Sequence, residues 1–313
     1  MRVLVTGATG FIGSHVAEAL VRGGHEVVVG LRAGSDPRWL AGLAVDRVAL
    51  DLGAPAPSAA ALAGTQAIVH AAGVTRAARV TDYQRVNVEG TRALLRAAVG
   101  AGVARFLLIG SLAARGPDGS AGPVGAYGRS KLAAERVAAG FAGDLAVAVL
   151  RPAAVYGPRD RDLLPLFRLA QRGALPLPPR GARLQPLFAT DLAELVARAL
   201  ETTLGFGPWP VAGPRSYRWQ DLPAALAASV GRPVRAFHAP PVAFLAAGAV
   251  AEGAARLRRR APTFDLRRAR DLAVHAYTCD MGATEEAAGW RARVDLAEGL
   301  ARTALWYRER GWL

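Results

Sequence analysis

The chain has 313 residues, 52% hydrophobic and 20% charged, which excludes a disordered chain and leaves apolar content for one large domain or two interleaved ones. Its net charge of +14 would suit a nucleic-acid binder, but the arginines are scattered singly among apolar residues, as on solvated helix faces. The one dense cluster (Arg256, Arg258, Arg259, Arg260, Arg267, Arg268, Arg270) has only Phe264 on which a base could stack, so an anionic small molecule explains the charge better.

Met1-Arg2-Val3-Leu4-Val5 leads directly into a strand, with no room for a secretory signal. No run of about 18 uncharged apolar residues is present to span a membrane. The single Cys279 has no internal disulfide partner, and a cytoplasmic location is expected.

Val3 to Val5 is predicted as a strand, and Phe11 to Arg22 as a helix with its apolar face at Ile12, Val16 and Leu20. Gly23-Gly24 turns the chain into a second strand, Glu26 to Leu31. Further strands are predicted at Arg47 to Leu52, Ala67 to Ala71, Arg105 to Ile109 and Leu145 to Leu150, with helices at Asp82 to Val99 and Ala126 to Ala139. Such alternation implies crossover connections and an α/β fold built on a parallel, doubly wound sheet. This dinucleotide-binding domain is expected over residues 1–160, with about 184–212 returning to it, because Leu187 to Leu200 reads as strand then helix.

A smaller, irregular, interleaved substrate-binding region is expected over residues 161–313. Its Pro-rich stretches (Leu175 to Pro179, Gly213-Pro214, Pro240-Pro241) separate helices from short strands. Asp191 with Glu194 reads as a helix cap and its reciprocal partner. Val242 to Ala255 is an apolar helix candidate running into the basic cluster; an ordinary buried helix is favoured over a lid that touches a membrane surface.

Gly7-Ala8-Thr9-Gly10-Phe11-Ile12-Gly13 joins the first strand to the first helix. Glycines there let the backbone turn tightly and approach a pyrophosphate, which rests on the helix N-terminus. A carboxylate ending the second strand would mark NAD, but Val27-Val28-Val29-Gly30-Leu31-Arg32 carries none. Arg32, with Ser35 and Arg38 nearby, suits a ribose phosphate, so NADP(H) is favoured over NAD(H). If Arg32 stacks on the adenine instead, either cofactor is tolerated. Asp51-Leu52, after the third strand, is placed to meet the adenine, or Asp51 is a simple strand-ending carboxylate.

Of 39 Lys and Arg residues only Lys131 is lysine, four positions after Tyr127 in Tyr127-Gly128-Arg129-Ser130-Lys131. On a helix the two lie one turn apart on one face, and a compact ammonium fits beside a phenol and a ribose where a guanidinium does not. A free phenol ionises at about 10, too high for a base near neutrality, and a neighbouring ammonium favours the phenolate. Tyr127 then exchanges a proton with a substrate oxygen while Ser111, after the strand Arg105 to Ile109, hydrogen-bonds that oxygen. Asn87 lies in the preceding helix, which its polar contacts could bend, and His70 reads as a packed histidine. Arg180, Arg183, Arg215 and Arg218 would suit a nucleotide diphosphate, or belong to an Arg-rich surface. No metal site is expected.

These motifs, with His70-Ala71-Ala72-Gly73, Asn87-Val88-Glu89-Gly90-Thr91 and Arg151-Pro152-Ala153-Ala154-Val155-Tyr156-Gly157-Pro158, resemble an extended short-chain dehydrogenase/reductase of the NAD-dependent epimerase/dehydratase superfamily. The resemblance runs from Met1 to about Ala212 and implies a Rossmann fold. It implies Ser111, Tyr127 and Lys131 as catalytic residues, with Asn87 supporting Lys131 through water. It also implies that Lys131 holds the nicotinamide ribose and that Pro152 to Val155 meets the carboxamide. A homodimer is implied too, through Asp82 to Val99 and Ala126 to Ala139. Similar dehydratases carry acids just after the active-site hydroxyl residue; Leu112-Ala113-Ala114 follow Ser111 here, which weighs against dehydration. Leu31-Arg32-Ala33-Gly34-Ser35-Asp36 and the tail Glu298 to Leu313 resemble the dihydroflavonol reductase and beta-hydroxysteroid dehydrogenase branch. The expectation is an oxidoreductase acting on a small or apolar carbonyl or alcohol. Its rivals are a nucleotide-sugar epimerase with tightly bound NAD and a non-catalytic dinucleotide sensor.

Overall fold

A computed structural model describes residues 1–53, 59–77, 79–117, 122–177, 183–202, 204–238, 240, 242, 246, 248–250, 253 and 277–313. Arg180, the basic cluster from Arg256 to Arg270 and most of Val242 to Ala255 lie outside the described residues. The chain divides into two compact units. The first comprises Met1–Pro152, Ala189–Val211 and Asp280–Arg291; the second comprises Ala153–Phe188, Ala212–Cys279 and Ala292–Leu313.

The first unit is organised by a seven-stranded sheet. Its strands are β1 (Arg2–Thr6), β2 (Glu26–Leu31), β3 (Val45–Ala49), β4 (Ala67–His70), β5 (Arg105–Ile109), β6 (Ala146–Pro152) and the edge strand Trp209–Val211. Across the sheet the order is edge strand, β6, β5, β4, β1, β2, β3, and every pairing is parallel. The winding reverses at β1, which pairs with β2 on one side and β4 on the other. Open parallel sheets bind ligands beyond the carboxyl ends of the strands at such a switch point. Val3–Val5, Val27–Val29, Ile68–Val69 and Phe106–Ile109 are buried nearly completely, the unbroken apolar pattern of strands covered on both faces.

Helix α1 (Phe11–Arg22) buries Val16, Ala17 and Leu20 and packs against the helix Ala189–Glu201, which returns Leu192, Leu195, Val196 and Leu200. The predicted helix from Asp82 to Val99 is three pieces: α2 (Val80–Tyr83), a π-helical turn (Gln84–Glu89) and α3 (Gly90–Gly100). Helix α4 (Gly125–Ala139) follows β5. β3 begins two residues earlier than predicted and stops at Ala49. Its register starts at Val27 with Val45, and Asp51 turns the chain away by accepting the Gly53 N–H at 2.8 Å. β6 runs on to Pro152 because the edge strand pairs with Leu150 to Pro152. The helix expected to start at Asp191 starts at Ala189, so Asp191 is a buried first-turn residue rather than the cap.

The second unit holds short strand pairs: Val155–Tyr156 with Leu187–Phe188, Arg183–Leu184 with Tyr217–Arg218, and Ala174–Leu177 with Arg235–His238. Its core gathers Tyr156, Phe167, Phe188, Tyr217 and Tyr307, with Trp306 and Trp312 packed against them. Among the described residues no helix is long and apolar enough to cross a membrane.

Candidate active site

The turn from β1 into α1 depends on glycine at both ends. Gly7 has φ +72°, and a Cβ there would lie 2.7 Å from the Ala72 nitrogen, so the loop after β4 packs directly on it. A Cβ on Gly13 would collide with the Gly7 carbonyl, so the first turn of α1 closes onto the same loop. Gly10 caps α1 in extended conformation without a side-chain bond, and no acid occupies the first turn. First-turn amides that no side chain caps, beside a backbone bare of Cβ atoms, fit the pyrophosphate of a dinucleotide. Thr9, Phe11 and Ile12 complete this loop, half-buried.

Arg32 is exposed immediately beyond β2, and the end of that strand carries no carboxylate. Arg38, expected beside it, is paired instead with Asp36 (Nε to Oδ2, 2.5 Å) and lies over the Trp39 ring. Asp51 is exposed, while the Leu52 backbone is pressed against α3, where a Cβ on Gly90 would come 2.8 Å from the Leu52 carbonyl.

A directional chain of hydrogen bonds links the glycine loop to the π turn. The Ala72 N–H donates to Thr6 Oγ1 (3.3 Å), and that hydroxyl meets His70 Nδ1 at 2.7 Å. His70 Nε2 meets Thr91 Oγ1 at 2.9 Å, and Thr91 donates to the Asn87 carbonyl at 2.7 Å. Since the Thr91 proton is committed to Asn87, Nε2 carries the imidazole proton and Nδ1 accepts from Thr6. Burial, then the Lys131 charge, holds His70 down at about 3, so it is neutral at physiological pH.

Asn87 sits buried in the π turn, a distortion that recurs at functional sites. Its Oδ1 accepts from the Val74 N–H (2.7 Å); its Nδ2 donates to the Val74 carbonyl (3.0 Å) and to Ser130 Oγ (2.9 Å). Ser130 in turn donates to the Tyr127 carbonyl at 2.7 Å, so Asn87 reaches α4 through Ser130.

Lys131 is 7% exposed, and its Nζ donates to the Ile109 carbonyl at 2.8 Å, at the carboxyl end of β5. A Cβ on Gly73 would meet Asn87 Oδ1 at 3.2 Å and Lys131 Nζ at 3.5 Å, so Ala71-Ala72-Gly73 runs between the glycine loop and the ammonium. Burial lowers Lys131 to about 8, opposed by the Glu135 charge. Tyr127 is half-buried, with its ring 6.4 Å from that of Tyr83. A Cβ on Gly128 would lie 2.5 Å from the Ala113 carbonyl, so α4 is pressed onto the short 3₁₀ turn that Ser111 caps. Ser111 Oγ accepts the Ala113 N–H at 3.1 Å, a bond that leaves its own proton for an acceptor oxygen.

Glu135 was not expected from the sequence. It is 4% exposed, one turn beyond Lys131, and its carboxylate receives Arg151 Nε and Nη2 at 3.0 and 2.6 Å. The signal available was its spacing of four from the only lysine. Pro152 closes β6 in the first unit, and Val155 pairs with Leu187 in the second. Arg183 is committed to Ser216 and Arg215 to the Tyr217 hydroxyl, while Arg218 is exposed.

Residues 3–207 match the model of the NAD dependent epimerase/dehydratase family. The chain is 33% identical to a ceramide reductase of Caulobacter vibrioides, over 99% of this chain and 96% of that protein. It is 30% identical to a 2-alkyl-3-oxoalkanoate reductase of Stenotrophomonas maltophilia, over 55% of this chain and 56% of that one. Among solved structures it resembles a dTDP-glucose 4,6-dehydratase of Streptomyces venezuelae with NAD bound, at 28% identity and a TM-score of 0.76, covering 100% and 98% of the two chains.

Proposed function

The chain belongs to the NAD-dependent epimerase/dehydratase family and is an enzyme of the extended short-chain dehydrogenase/reductase type, and from that premise we propose that it reduces a ketone or aldehyde with NADPH, or oxidises the matching alcohol with NADP⁺. When bound, the dinucleotide supplies the hydride donor or acceptor at its nicotinamide. Gly7, Thr9, Gly10, Phe11, Ile12 and Gly13 seat its pyrophosphate; Arg32 pairs with the ribose phosphate, and Asp51 and Leu52 meet the adenine. Ala71, Ala72 and Gly73 pass along it, Lys131 holds the nicotinamide ribose, and Pro152 and Val155 meet the carboxamide.

In the reduction, Ser111 donates its hydroxyl proton in a hydrogen bond to the substrate oxygen and fixes it beside Tyr127. Tyr127 gives its phenolic proton to that oxygen as hydride reaches the carbon; in the oxidation the phenolate takes the proton back. The Lys131 ammonium favours the phenolate and makes both directions accessible near neutrality. Asn87 holds the Ser130 and Val74 segments that flank the ammonium.

The observation that carries this reading is the location of the only lysine, buried on the helix of Tyr127 with its ammonium at the end of β5. A chance surface lysine would be solvated. Reduction is preferred to dehydration because Leu112-Ala113-Ala114 offers no acid beside Ser111. A reductase relative that spans nearly the whole chain supports the same choice.

The test is NADPH absorbance against ketones and aldehydes of increasing chain length, with ceramide plus NADP⁺ for the reverse direction. The expected result is one NADPH consumed per carbonyl reduced. If sugar nucleotides are interconverted with no net cofactor use, the enzyme is an epimerase. Binding of NADPH without turnover of any compound would leave a sensor.

A further inference from the structure

Among the described residues, the buried charges around Lys131 form a set that the proposed chemistry does not yet use. Lys131 and Glu135 are four apart on α4, so both side chains rise from one face of the helix. They converge on two consecutive residues at the end of β5. Ile109 offers its carbonyl to the ammonium at 2.8 Å, and a Cβ on Gly110 would lie 2.6 Å from Glu135 Oε1. Gly110 therefore makes the space in which the carboxylate sits. From β6, Arg151 reaches across with its guanidinium, Nε donating to Glu135 Oε1 at 3.2 Å and Nη2 to Oε2 at 2.6 Å, which is the forked geometry of an ionised carboxylate.

Ammonium and carboxylate thus end beside consecutive residues at the carboxyl end of the sheet, with the guanidinium on the carboxylate, and two of the three are almost wholly buried. An isolated ammonium pays a heavy desolvation cost unless an opposite charge stands nearby. Among the described residues, the charged or titratable groups coupled to it are His70 from β4 and Glu135 on its own helix; Tyr127 lies one turn back on that helix against Tyr83 from α2, and Arg151 from β6 holds Glu135. His70 is neutral at physiological pH, and Arg151 is itself a cation. Glu135 is the only carboxylate in this set.

We propose that Glu135 is a positioning residue of the site: held by Arg151 and set one turn from Lys131, its carboxylate keeps the buried ammonium charged and directed at the end of β5. Burial raises the Glu135 carboxyl, and the Arg151 hydrogen bonds, the Arg151 charge and the Lys131 charge all oppose that rise. The same Glu135 charge opposes the burial that brings Lys131 down to about 8. Without the carboxylate, nothing would oppose the burial of the ammonium, and Lys131 would lose its proton near neutral pH.

This proposal rests on the role given above to Lys131, but its experiment does not. Because Lys131 is the only lysine, 13Cε-lysine incorporated into the whole, tag-free chain gives one side-chain resonance, and its pH titration reads the ammonium directly. In Glu135→Gln the midpoint is expected to fall by about one unit or more, the effect of losing an opposite charge at close range. Should that variant fail to fold, Glu135→Gln with Arg151→Met removes both buried charges, and there too the midpoint falls. A midpoint at or above the wild-type value in whichever variant folds overturns the proposal and leaves Glu135 as the partner of Arg151 alone. Failure of the oxidoreductase reading would show as absent turnover and would leave this titration intact.

Discussion

The two units of this chain solve the same backbone problem by different means. In the first, seven parallel strands satisfy one another, and the interior is filled by aliphatic side chains such as Leu4, Val28, Ile68 and Leu94. In the second, strand pairs of two to four residues cannot do this, and tyrosine hydroxyls take over. Tyr156 donates to the Asp295 carbonyl at 3.2 Å, Tyr217 accepts the Leu296 N–H at 3.0 Å, and Tyr307 donates to the Asp160 carbonyl at 2.5 Å. Regular pairing frees the strand ends to carry chemistry, and Lys131 and Glu135 both terminate there. Irregular pairing spends its polar side chains on holding the backbone.

The comparison breaks most visibly at Lys131. Lys131→Arg keeps a charge but cannot place a compact ammonium under Ile109, and turnover should fall by roughly 100-fold in steady-state assays. Next comes Gly13→Ala, whose methyl meets the Gly7 carbonyl. It should cost about 2 kcal/mol or more of stability by thermal unfolding and abolish NADPH fluorescence enhancement. In the second unit, Tyr307→Phe leaves the Asp160 carbonyl without this donor. A loss of about 1–2 kcal/mol is expected, with NADPH binding unchanged by the same titration.

The effect at His70 is confined to acid pH. Its folded value of about 3 lies below its ordinary 6.5, so the unfolded chain binds the extra proton first. Stability from this group is complete above about 6.5 and drains as pH falls from there towards 3. The Tm of the wild type should therefore drop over that window more steeply than that of His70→Gln.

The sequence exposed the first unit because burial there follows short-range periodicity. α1 and β2 have the predicted bounds, since Gly23-Gly24 punctuates them and their apolar runs are unbroken. β3 starts two residues and ends three residues before its expected bounds, because an edge strand is half-exposed and its alternation is weak. A polar Asn87 inside a helix hinted at a bend, but the partner that holds it, Val74, lies thirteen residues away in the loop after β4. Ser111, Tyr127 and Lys131 could be proposed from residue type and spacing. Glu135 was not, because its meaning depends on Arg151 arriving from β6. The tyrosine bonds of the second unit span as many as 147 residues, and no local pattern signals them.

In the proposed reaction the Tyr127 phenol moves a proton in concert with hydride transfer. Its most direct test is single-turnover transfer of deuterium from 4-deuterated NADPH to a carbonyl substrate, followed by mass spectrometry in wild type and Tyr127→Phe at saturating cofactor. The account predicts one deuterium on the product carbinol carbon in the wild type and, in the variant, NADPH bound normally with transfer slowed by about a thousandfold. Transfer at a near wild-type rate in Tyr127→Phe would contradict it.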